Sequence, residues 1–142
     1  MIAFDTNILV YAHRRDSQFH ERAAACVRTH AEGAALWAIP WPCVHEFLAV
    51  VTNPRIFQSP TPTADAVAQI DAWRESPRLR LLAEEDGYWR VFAQLLTSSR
   101  VQAGKIHDAR VAALALYHGA SELLSADRDF SRMRPLIVRN PL

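Results

Sequence analysis

Ile2-Ala3-Phe4-Asp5-Thr6-Asn7-Ile8-Leu9-Val10-Tyr11-Ala12 is the stretch whose reading decides the fold. A short apolar run, Ile2 to Phe4, meets three polar residues, and a second apolar run follows. The pattern predicts a buried strand, a sharp turn and a helix starting at the turn. Asp5 then stands at the carboxyl end of a strand beside a helix N-terminus, the edge at which open parallel sheets bind ligands. Asp, Thr and Asn are also good helix caps, and taken alone Asp5 reads first as a cap. Whether other acids reach the same edge decides between the two readings.

Outward from this stretch, helical and strand-like segments alternate. Ser17 is placed to cap a helix from about Gln18 to Ala31, whose stripe is Phe19, Ala23, Cys26, Val27 and His30. Leu36 to Ile39 reads as the second strand, stopped by Pro40 and Pro42, and Pro42 suits the first turn of a helix from Cys43 to Thr52. Glu46 lies off the apolar face of that helix, yet its helical neighbours are Pro42, Cys43, Ala49 and Val50. The Asn53–Thr63 stretch, with three prolines, is a loop. A helix from about Ala64 to Glu75, a strand from Leu79 to Ala83 and a helix from Glu85 to Arg100 follow. Gly104 to His118 is the most apolar helix, with Asp108 near its start and Gly119 as its stop. Glu122 to Ala126 makes a fourth strand that runs into Asp127-Arg128-Asp129-Phe130, and Leu136 to Val138 a fifth.

Strands separated by helices imply an α/β fold, a three-layer α/β/α sandwich with a mostly parallel sheet of about five strands, in a single domain over residues 1–142. Right-handed crossovers put every strand's carboxyl end on one edge. Asp5 and Asp127 end strands there, Glu46 lies one turn into a helix leaving that edge, and Asp108 joins them if its helix starts at it. Four acids from four segments then converge.

Composition narrows what the acids can serve. A net charge of +1 excludes a strongly basic nucleic-acid tail and an acidic solvating one. Fifteen of the sixteen basic residues are Arg, and Arg14, Arg15, Lys105, Arg110, Arg128 or an Arg of the Asn53–Thr63 loop are candidates to hold phosphates. Cys26 and Cys43 form no thiolate zinc pattern and no disulfide framework, and no apolar run is long enough to span a bilayer. With no leader-like segment, a cytoplasmic protein that does not enter the membrane is expected.

Carboxylates a few ångströms apart repel, so they take up protons or a cation neutralises them. An oxygen-only set selects a hard ion, Mg²⁺ or Mn²⁺, which typically engages phosphate and activates water for attack at phosphorus. The residues therefore point to hydrolysis of a phosphodiester.

Asp5-Thr6-Asn7-Ile8-Leu9-Val10-Tyr11-Ala12, Glu46 after a Pro-rich strand exit, His107-Asp108-Ala109 and Ser125-Ala126-Asp127-Arg128-Asp129-Phe130 together resemble the PIN-domain proteins. More narrowly the chain resembles the VapC ribonuclease toxins of bacterial type II toxin–antitoxin modules, from Met1 to Leu142. The resemblance implies a PIN-like sandwich, a magnesium site, endoribonuclease activity on RNA, a small VapB-type antitoxin and a homodimer. It assigns Asp5, Glu46 and Asp108 as core carboxylates and Asp127 as the fourth. Asn7 would orient Asp5, and Ser125 stands where the family often has Thr. Asp129 occupies a position that is often acidic, and is equally an ordinary cap of the turn into Phe130.

Other classes make distinguishable demands. A haloacid-dehalogenase-like phosphatase needs a second Asp where Asn7 stands, and a receiver domain needs a late Lys, whereas Lys105 precedes a helix. His45 and His107 each adjoin a proposed ligand, but successive helix positions diverge by about 100°, so each is expected to face elsewhere. A ribonuclease using that pair would survive EDTA. A housekeeping PIN nuclease would lack an antitoxin, and a metal-free nucleic-acid-binding module would bind without turnover.

Overall fold

β1 (Ile2–Phe4) is the middle of five strands, and its apolar run is needed because both faces are covered: Ala3 and Phe4 are fully buried. The computed structural model describes residues Met1 to Leu142. β1 pairs with β2 (Trp37–Pro40) on one side and β4 (Glu122–Leu124) on the other. β3 (Leu79–Leu82) flanks β2, and β5 (Val138–Arg139) flanks β4. Every pairing is parallel, and the order is β3-β2-β1-β4-β5. The register sets Ile2 level with both Trp37 and Glu122, so the ends of the three inner strands lie side by side.

The chain builds outward from β1 to β3, then crosses back to lay β4 and β5 on the opposite side. The order therefore reverses between β1 and β4, the topological switch point at which sheets of this kind open a crevice. Right-handed connections place α1 (Thr6–His13), α2 (His20–Glu32), α3 (Trp41–Val51) and α4 (Thr63–Arg74) on one face. They place α5 (Tyr88–Ser99) and α6 (Lys105–Tyr117) on the other. Packing agrees, since α1 rests on α2 and α3 while α5 rests on α6. The expected three-layer sandwich is present, with a sheet that is wholly parallel.

The core is continuous across the sheet, with Phe4 edge-on to Trp37 at 5.5 Å and Phe47 of α3 against Trp73 of α4 at 5.1 Å. The Trp37 indole N–H donates to Ser76 Oγ at 3.0 Å, which satisfies the one polar atom of a fully buried side chain.

Element ends differ from the sequence expectation where local hydrogen bonds decide them. Ser17 does not cap α2: its Oγ accepts from the Phe19 N–H at 3.1 Å in a turn before the helix, which starts at His20. β4 stops at Leu124 rather than Ala126, because Ser125 and Ala126 turn their polar groups toward the site. β5 is Val138–Arg139 rather than Leu136–Val138, and Leu136 packs into the core before it. α6 ends as expected, with Gly119 at φ +72° just past it. No helix is long and apolar enough to cross a membrane.

Candidate active site

Asp5 leaves β1 with its amide donating to the Leu124 carbonyl at 2.9 Å, so β1 and β4 are still joined where the site begins. It is the N-cap of α1, with Oδ1 accepting from the Thr6 N–H at 2.8 Å. Its other oxygen, Oδ2, accepts from Asn7 Nδ2 at 2.7 Å and from Ser125 Oγ at 2.7 Å. The capping role and the site role thus belong to the same carboxylate. Burial pushes the Asp5 carboxyl up to about 6 against the pull of Ser125 and the Thr6 N–H, and the charges of Glu46 and Asp108 push the same way.

Asn7 and Ser125 tie α1 to the exit of β4. The Asn7 amide donates also to Ser125 Oγ at 3.1 Å, and its carbonyl accepts from the Ala126 N–H at 3.0 Å. Ser125 Oγ in turn accepts from the Asp127 N–H at 3.0 Å. Ser125 is buried, so a side chain without the hydroxyl would strand the Asp127 N–H and take a donor from Asp5.

Glu46 projects from α3 and accepts from Thr6 Oγ1 at 2.6 Å. Thr6 thereby joins the candidate site, a position that the sequence alone does not single out. Its signal was the Asp-Thr-Asn run, where a hydroxyl beside a cap looks like part of the cap. Asp108 lies in the first turn of α6, and burial raises its carboxyl while Lys105 opposes the rise. Asp127 caps the short 3₁₀ turn Arg128–Arg132, its Oδ1 accepting from the Asp129 N–H at 2.8 Å. The cap of the turn into Phe130 is therefore Asp127 and not Asp129.

Asp5, Asn7, Glu46, Asp108 and Asp127 line one cavity of about 410 Å³, together with an apolar rim of Val10, Tyr11, Val50, Ile56, Phe57 and Phe130. Asp108, Asp127 and Asp129 each offer a carboxylate oxygen, all within 4.8 Å of one another. Asp129 is the exposed member and forms an ion pair with Lys105, whose Nζ also lies 3.4 Å from Asp108 Oδ2. The donors suit a hard divalent cation. The one soft group against Asp5 is Cys43, with Sγ 3.8 Å from Oδ1, and burial holds its thiol well above the usual range, in the neutral form.

The candidate phosphate-binding residues separate into different roles. Arg14 is nearly buried and clamps the Asn53–Thr63 loop: it donates to the Ser59 carbonyl at 2.8 Å, pairs with Asp16 at 2.6 Å and lies 4.0 Å from the Phe57 ring centroid. Arg110 pairs with Glu84. Lys105 sits among carboxylates rather than facing an open groove. His45 and His107 do not line the cavity of Asp127, but they do not turn wholly away either. Both line a neighbouring cavity of about 510 Å³ whose wall includes Asp5, Glu46 and Asp108.

Comparison with known proteins adds the family. Residues 2–135 match the PIN domain. Ribonuclease VapC43 of Mycobacterium tuberculosis is 37% identical over 142 residues, covering 100% of this chain and 96% of that protein. Ribonuclease VapC48 of the same species is 31% identical over 138 residues, covering 97% and 95%. Among solved structures, VapBC2 from Rickettsia felis, bound to a DNA fragment from their promoter, superposes with a TM-score of 0.71 at 21% identity, covering 99% of this chain and 98% of that one. Mycobacterium tuberculosis VapC20, described as a Sarcin-Ricin loop cleaving toxin, superposes at 0.65 and 20% identity, covering 92% and 93%. The chain belongs to the PIN-domain family, in its VapC ribonuclease branch.

Proposed function

We propose that this protein is a Mg²⁺-dependent endoribonuclease, with Mn²⁺ as a substitute ion, and the toxin of a type II toxin–antitoxin module. One observation carries the reading: four carboxylates from four chain segments line one cavity at the switch point of a VapC-type sheet. Asp5, Glu46, Asp108 and Asp127 hold the ion, and Asn7, Ser125 and Asp129 support them. When bound, the ion supplies a Lewis acid that activates water and offsets charge at phosphorus. The protein's part is positioning. Asp5 is fixed by three donors, Glu46 by the Thr6 hydroxyl, and Asp127 by the turn it caps. RNA enters over the open cavity, and a small VapB-type antitoxin blocks it. A homodimer in the cytoplasm is the proposed form, checked by light scattering of the purified chain.

The test incubates purified protein with single-stranded RNA, with and without EDTA, and then adds excess Mg²⁺. Cleavage that stops in EDTA and returns with Mg²⁺ is the expected result. Undiminished cleavage in EDTA overturns the metal reading and favours His45 and His107. Binding without turnover in either condition makes the chain a nucleic-acid-binding module.

A further inference from the structure

Beyond Asp127, on the β5 side of the site, lies a second cavity of about 640 Å³. Asp127 belongs to the walls of both cavities, so the two spaces meet across one side chain. Arg128 and Arg134 line the outer one together with Ser131 and Asn140, while Leu136 and Val138 supply apolar wall. Neither guanidinium has a side-chain hydrogen bond or an ion pair, unlike those of Arg14, Arg74, Arg110 and Arg139, which all pair with acids. Unpaired arginines are common on this surface, but this recess alone among the larger cavities is lined by two of them, Arg134 standing also at the wall of a smaller cavity beside α5. The only acid lining the recess is Asp127, at its inner end.

We infer that this recess is a nucleotide subsite, in which Arg128 and Arg134 hold the RNA phosphate next to the scissile one and Leu136 and Val138 contact its ribose or base. The inference rests on the nuclease reading and adds the side from which the strand is gripped. The charge distribution selects that side. Across the site, the other flanking cavity is walled by Glu46 and Asp108, and its one arginine, Arg110, is already paired with Glu84. Of the arginines that line the two flanking cavities, those without an acid partner stand only on the β5 side. Planar forks with no competing carboxylate suit phosphate oxygens, and the recess lies in the range of about 300–1,000 Å³ that encloses a drug-sized ligand. Phosphate contacts of this kind set register and carry no sequence information themselves.

The test compares wild type with R128A/R134A and with a control, R22A/R28A, which removes the same charge from the exposed face of α2. Fluorescently labelled single-stranded RNA is titrated in EDTA across a range of KCl, so that binding is read without turnover. The slope of log Kd against log salt should fall by about 0.7 for each phosphate that R128A/R134A no longer neutralises, and stay at the wild-type value in the control. With Mg²⁺, KM should rise several-fold while kcat holds. R128K/R134K keeps the charge and tests folding and fork geometry together: it should retain the slope and recover only part of KM. Unchanged slope and KM in R128A/R134A overturn the subsite while leaving the nuclease reading intact. A wild-type chain that cleaves nothing overturns the nuclease reading instead, with the EDTA binding arm still scoring the arginines. Loss of hold on a protein partner with RNA binding unchanged would give the recess to that partner and also overturn the proposal.

Discussion

At Asp5 two demands meet in one carboxylate. Hydrogen bonds from Ser125 and the Thr6 N–H favour its ionised form, and burial beside Glu46 and Asp108 penalises that form. Burial wins, raising the carboxyl from an ordinary 3.8 to about 6, a gap equivalent to about 3 kcal/mol. Because the folded value lies above the unfolded one, the native state holds the extra proton between pH 4 and 6. This group's stabilising contribution is therefore complete below about pH 4 and is lost as pH rises through about 6. Asp108 is shifted in the same direction. Asp16, Glu122 and Asp129, held low by Arg14, Arg139 and Lys105, act the other way and at lower pH, so the two effects separate. In EDTA, the melting temperature by differential scanning calorimetry should fall across that interval, and Mg²⁺ should raise it more at pH 7 than at pH 4.5, because the ion competes with the proton. Asp5→Asn should reduce both responses, leaving the part that Asp108 carries. It should not exceed wild type at pH 4.5, since its new amide would face the Asn7 amide donor-to-donor. A slope undiminished in Asp5→Asn would move the titration to another group.

Among the elements, the exit of β4 is the one whose integrity the site depends on most. Ser125 Oγ donates to Asp5 and accepts from Asn7 Nδ2 and the Asp127 N–H, so one hydroxyl joins three of the site residues. Ser125→Ala strands the Asp127 N–H, takes a donor from Asp5 and should cost about 1–3 kcal/mol in urea denaturation. Ser125→Thr keeps the hydroxyl and should retain cleavage where Ser125→Ala loses it. Equal losses in both would make the position one of volume rather than hydrogen bonding. The residue type here was legible in the sequence, because Ser125 lies two residues before an acid at a strand end. The length of the strand was not. Apolar pattern extends β4 to Ala126, and it is side-chain hydrogen bonds reaching back to Asn7 and Asp5 that stop it at Leu124. Ser17 failed for a related reason: a hydroxyl before a helix reads as a cap, and only the fold reveals that it bonds one turn too early.

For the whole molecule, alternation of strands and helices made the three layers and the common strand edge readable from sequence. The order of the strands was not readable, since hydropathy does not say on which side of β1 the chain lays β4. That choice creates the switch point and brings Ser125 to Asp5. Lys105 was equally hidden, because its approach to Asp108 and Asp129 depends on how α6 meets the 3₁₀ turn. Its position bears on inhibition. An ammonium already rests between Asp108 and Asp129 beside the cavity, so carboxylates at this edge take a cationic side chain as a partner. A bidentate guanidinium would serve better, pairing with the carboxylates at the metal's place. The apolar rim, with Ile56 largely exposed beside Phe57, Tyr11 and Phe130, gives the same partner somewhere to anchor. A small protein encoded beside this chain should therefore block cleavage by inserting an Arg or Lys among Asp5, Glu46, Asp108 and Asp127. Changing that residue to Ala should release more activity than removing a charge at the rim. Ile56→Ser should loosen the partner more than it weakens RNA cleavage. Co-expression with the neighbouring reading frame, followed by pull-down, a growth assay and the cleavage assay on the recovered complex, measures all three. A chain that is harmless when expressed alone and recovers no small partner would instead be a housekeeping nuclease.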